Sequence, residues 1–162
     1  MKLYFVKCIV LTIIASQLIS CGKPDNLKGI KGLMPADVYL NMEKTGFETN
    51  KNLTSNAGCT WENTKTIDGV EYRVVTFSSD INSVESVSAN AMALPPKNAS
   101  DAKQFLKFIS SLPYNGSNAQ EAGEWVDENF NSDKAEKVIG SAKFTIYAPS
   151  EFARMIRIEK SY

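Results

Sequence analysis

Between residues 70 and 78 apolar and polar side chains alternate, with Val70, Tyr72 and Val74 on one parity and Glu71 and Arg73 on the other. A period of two belongs to a half-buried strand. Residues 60–67 read as its partner, because the intervening Asp68-Gly69 is the dipeptide of a tight hairpin. A third strand is predicted over 83–93. Its Val87, Ala89, Ala91 and Ala93 share one face, and side chains this small let a helix approach closely. Pro95-Pro96 ends that unit. The C-terminal stretch reads as a second hairpin. Ala142, Phe144 and Ile146 alternate with Lys143 and Thr145, Pro149-Ser150 turns the chain, and residues 152–159 return with Ile156 and Ile158 on one face.

The period changes to 3.6 in three places. Residues 35–45 open on Pro35, suited to a first helical turn, and place Val38, Tyr39 and Met42 together; Gly46 then ends the helix as a left-handed cap. Ser100 is the expected N-cap of a helix over 101–112 with a stripe of Phe105, Leu106, Ile109 and Leu112. After Pro113 and Asn115-Gly116, Ser117 and Gln120 have capping-box spacing, and the helix they open carries Ala122, Trp125, Val126 and Phe130. Asn131-Ser132-Asp133 closes it. The expected order is α-β-β-β-α-α-β-β. That is an α+β fold, a two-layer sandwich with helices on one face of an antiparallel sheet. Each half puts helix before strands.

The first twenty residues follow another rule. Lys2 and Lys7 supply positive charge without an acid, and residues 5–19 are mostly apolar. This is the pattern of a secretory signal, and the run is shorter than the roughly 18–20 residues of a spanning helix. It ends Leu18-Ile19-Ser20-Cys21-Gly22. These five residues resemble the lipobox of bacterial lipoproteins. The resemblance implies a diacylglycerol thioether on Cys21, cleavage just before it, and a domain held on a membrane by acyl chains. Each buried methylene of such chains contributes about 0.8 kcal/mol. Gly22, where inner-membrane retention uses aspartate, implies the outer membrane in a cell that has one. A single-membrane cell would display the domain outside.

The expected organisation is thus a signal peptide over 1–20, a lipidated tether over 21–31, rich in breakers, and one globular domain over 32–162. Cleavage leaves 142 residues with sixteen basic against eighteen acidic side chains. That balance excludes nucleic acid as an expected partner, since such binding rests on clustered cations. The chain has no histidine, which removes the commonest general base, the usual zinc ligand and every histidine-based triad.

Cys8 leaves with the signal and Cys21 is taken by lipid, so Cys59 stands alone in the mature chain. As a nucleophile it needs a base that no histidine supplies; a structural thiol near a strand start is the simpler reading. The acid pairs Asp127-Glu128 and Glu121-Glu124 suit exposed helix faces better than paired-carboxylate catalysis. Trp61 and Tyr147, aromatic among polar neighbours, are the candidate ligand-binding residues. Three glycosylation-like sequons, beginning at Asn52, Asn98 and Asn115, read as turns. No metal site or cofactor motif is expected. The helix-plus-sheet order, with Gly32-Leu33, Asp37-Val38 and Gly46 opening it, resembles small envelope lipoproteins that act as assembly factors or protein inhibitors. The expected function is therefore an anchored, non-enzymatic lipoprotein that binds a protein or other envelope component. The alternatives are a small-ligand binder and a hydrolase using carboxylates or Cys59.

Overall fold

Asp68 and Gly69 take φ of +50° and +80°, the two left-handed positions of a tight hairpin turn, and Ile67 pairs with Val70 on either side of them. Around this hairpin the computed structural model describes residues 29–54, 58–80, 82–93 and 95–162. The elements are α1 (Pro35–Lys44), β1 (Glu48–Thr54), β2 (Gly58–Ile67), β3 (Val70–Ser78), β4 (Ser86–Met92), α2 (Ala99–Ser110), α3 (Ala119–Asn129), β5 (Ala135–Ile139), β6 (Ala142–Ser150) and β7 (Ala153–Lys160). The fold is α+β. Seven strands form one antiparallel sheet in the order β1-β2-β3-β4-β7-β6-β5. Each half of the chain builds a meander, and the two join where Val87 and Ala89 of β4 face Ile158 and Ile156 of β7.

The element order follows the expected one with two strands added, β1 and β5. These are the two edges of the sheet. An edge strand has a neighbour on only one side, so it needs few apolar residues. Glu48-Thr49-Asn50-Lys51-Asn52 shows no apolar alternation at all, and Ala135-Glu136-Lys137 looks like solvated loop. Asn52 accordingly lies in a strand and not in a turn.

One hydrophobic core joins the helices to alternate strand residues. Val38 and Met42 of α1, Leu106 and Ile109 of α2, and Ala122, Trp125 and Val126 of α3 meet Val70, Tyr72, Val74, Val87, Ala89, Ala91, Phe144, Ile146, Ile156 and Ile158. Ala89 and Ala91 have no exposed surface, as the small-residue pattern requires, but Ala93 is exposed at a φ of +55° and has left the strand. The helix starts also shift. α2 begins at Ala99, ahead of Ser100, with Asn98 as its N-cap. Asn118, rather than Ser117, caps α3, its side-chain oxygen accepting from the Glu121 N–H at 3.1 Å. An asparagine carbonyl serves there as well as a serine hydroxyl. Pro149 lies inside β6 within a register irregularity between Tyr147 and Ser150, and the chain turns at Glu151-Phe152.

The segment before α1 is part of the packing. Ile30 is buried and its N–H donates to the Val84 carbonyl at 2.7 Å. The Asn115 N–H donates to the Lys31 carbonyl at 2.8 Å, and the Ser141 N–H to the Asn115 carbonyl at 3.1 Å. Gly116 and Gly140 touch backbone to backbone at this junction. A Cβ on Gly140 would stand 2.4 Å from the Gly116 carbonyl oxygen.

Candidate functional site

The register divides the sheet residues into two parities. Trp61 faces Thr76, which faces Val87, then Ile158, then Phe144, so Trp61 belongs to the core parity. Tyr147 faces Met155, then Asn90, then Arg73, then Thr64, and so belongs to the other. The two aromatic candidates are on opposite faces of the sheet and do not form one site.

Trp61 is 5% exposed. Its ring stacks with Tyr39 of α1 at 6.2 Å between centroids, and the Lys51 ammonium sits 5.4 Å above it. Little of the indole is left for a ligand to stack on. It instead floors an open groove of about 510 Å³ between α1 and the sheet edge. Pro35, Ala36, Tyr39 and Glu43 form the helix wall, and Thr49 and Lys51 of β1 the strand wall. A smaller apolar hollow of about 200 Å³ lies at the other end of α1, between Phe47, Ile67, Tyr72, Phe105 and Phe108. Burial, reinforced by the carboxylates of Asp101 and Asp68, raises the Tyr72 hydroxyl above its ordinary value.

Tyr147 is half-buried and has different company. On its parity Val75, Phe77, Ser88, Thr64 and Met155 are also half-buried, and Asn90 is only 6% exposed. The Asn90 side-chain oxygen is shielded and has no hydrogen-bond partner among the described residues. A buried amide oxygen without a donor costs about 1–3 kcal/mol. Charges stand among these side chains: Arg73, the cross-strand neighbour of Asn90, pairs with Glu62; Arg157, the neighbour of Ser88, pairs with Glu159 at 3.1 Å; and Lys143 pairs with Glu136 at 3.2 Å. This face therefore interleaves half-buried apolar side chains and the Asn90 amide with ion pairs.

Cys59 is a half-buried free thiol opposite Ser78. Three of the four helix acids are engaged: Asp127 binds Lys103 and Lys107, Glu121 binds Lys137 at 3.0 Å, and Glu124 accepts from Gln120 at 2.9 Å. Among the described residues no group of three histidine, cysteine, aspartate or glutamate side chains comes together. Cys21 lies outside the described residues.

Comparison with protein-family models, with curated proteins and with solved structures gives no match.

Asn90 escaped the sequence reading although a signal was present. Asparagine is depleted in strands, and here it stands between two fully buried alanines in a central strand. A polar side chain kept at such a position is worth examining.

Proposed function

We propose that the chain is a bacterial envelope lipoprotein, anchored through lipid on Cys21, whose domain binds a protein or other envelope component without catalysing a reaction. In this reading the three helices gather on one face of the sheet as a two-layer sandwich. The opposite face, around Tyr147, Met155 and Asn90, is the docking surface. One observation carries it: half-buried apolar side chains on the parity away from the core share a face with a shielded amide oxygen that no described residue satisfies. A partner's apolar groups would cover Val75, Phe77 and Met155, and its N–H would satisfy that oxygen once the Asn90 side chain turned outward. Apolar side chains interleaved with charge pairs offer a partner both apolar contact and polar pairing. The lipobox-like residues 18–22 support the anchor.

The test is a crosslinked pull-down from the protein's own membranes with wild type, Cys21→Ala and Tyr147→Ala. Recovery of one partner in near-stoichiometric yield by wild type, and its loss with Tyr147→Ala, is the expected outcome. Equal recovery with Tyr147→Ala would remove the docking face from consideration. A Cys21→Ala protein that stays on the membrane with unchanged mobility would refute the lipid anchor.

A further inference from the structure

Beyond that docking face, the two edges of the sheet are defended unequally. β5 is short, and its charges are tied down. Glu136 bridges Lys134 at 2.8 Å and Lys143 at 3.2 Å, and Lys137 reaches Glu121 of α3 at 3.0 Å. Hydrogen bonds from Lys134 and then Lys143 hold the Glu136 carboxyl below its usual range. Charged side chains of this kind blunt an edge against further pairing. β1 has seven residues, no proline and, among the described residues, no ion pair. Its inner side is bonded to β2 and no described strand lies on its outer side. A row of outward N–H and C=O groups is matched in full by one kind of partner, another polypeptide backbone in extended form.

The groove over Trp61 lies directly beside that edge. Thr49 and Lys51 are alternate residues of β1 and form one of its walls. A strand added outside β1 would send every second side chain to the same side as Thr49, Lys51 and Trp61. Those side chains would stand beside Thr49 and Lys51, at the mouth of the groove. Its volume of about 510 Å³ falls in the ~300–1,000 Å³ range of ligand sites. Its floor is apolar, and Glu43 and Lys51 stand on opposite walls.

We propose that the groove between α1 and the outer edge of β1 binds an extended segment of a partner protein, apolar at alternate residues, which joins the sheet as one further strand. Main-chain hydrogen bonds to β1 hold the segment, and the Trp61 groove selects its side chains.

The probe is a random decapeptide library displayed on phage and panned on the full chain, with selected peptides then titrated by fluorescence. Peptides with apolar residues at alternate positions are expected. Filling the groove with Ala36→Arg should weaken binding about tenfold or more, equivalent to about 1.4 kcal/mol. Glu43→Arg, at an exposed position of α1, gives a second reading should Ala36→Arg disturb folding. N-methylation of the peptide at alternate residues should abolish binding on one parity and spare the other, because only every second N–H faces β1. Tyr147→Ala, on the opposite face, should leave the affinity unchanged, which separates this site from the docking face. The proposal is overturned if no peptide is enriched, if both groove variants bind normally, or if N-methylation matters on neither parity. A dimer that Ala36→Arg dissociates would assign the edge to a second copy and also overturn it.

Discussion

Phe144 has no exposed surface and stands between two aromatic rings, Tyr114 at 6.2 Å and Trp125 at 6.1 Å. Phe144→Ala would leave a cavity where rings from β6, α3 and the α2–α3 connection meet, and should cost about 3–5 kcal/mol in urea unfolding. Tyr114 supplies a pH-dependent measurement of the same region. Its hydroxyl donates to the Ile139 carbonyl at 3.0 Å, and burial, with Glu121 adding to it, pushes its pKa up to about 12. The neutral phenol is thus favoured in the folded state. Its contribution is whole below pH 10 and is lost as the pH rises from about 10 towards 12, because the unfolded chain ionises first. Tyr114→Phe should cost about 1–3 kcal/mol at neutral pH. Stability curves of wild type and variant should converge above pH 10, while the 295 nm absorbance titration of the variant should lack one late-ionising tyrosine, with Tyr72 keeping its own raised value in both. At this scale the sequence was legible for the core and partly for the sites. Alternation and helical spacing marked Val74, Leu106 and Trp125 as inward. They also marked Trp61 and Tyr147 as odd aromatics, but no local pattern says which face of a sheet a residue joins, and that required the register.

Among the elements, those with two neighbours were readable and those with one were not. β3, β4, β6 and β7 bury alternate residues in the hydrophobic core, so their sequences alternate; β1 and β5 lie at the margins and their sequences do not. The same difference should appear in dynamics. Amide exchange is expected to be slowest in β3, β4 and β7 and fastest in β1 and β5, since edge amides open without breaking the core. Protection in β1 equal to that in β4 would contradict this and would indicate that its outer side is covered in solution. The contact of Gly116 with Gly140 makes a separate point about connections. Asn115-Gly116 was readable as a turn, but its need for a second glycine twenty-four residues away was not. Gly140→Ala puts a Cβ into a carbonyl oxygen at a φ of +55°. Its loss of stability should exceed the ~1–3 kcal/mol that such backbone strain alone carries.

For the whole molecule, the α+β class and the sequence of helices and central strands followed from periodicity, because burial on one side imposes it. Function did not follow in the same way, since the candidate surfaces are defined by what they leave unsatisfied: an amide oxygen at Asn90 and a row of main-chain groups along β1. The proposed lipid on Cys21 sets a further condition through the docking of Ile30 against Val84. Eight residue steps separate Cys21 from Gly29, and an extended chain spans at most about 3.3–3.6 Å per step. The span from Cys21 to Gly29, the leash of the domain, is therefore at most about 29 Å. On it the domain could sweep only a thin layer next to the bilayer, meeting partners by lateral diffusion at a raised local concentration, while any epitope held farther out would be beyond its reach until the leash was lengthened.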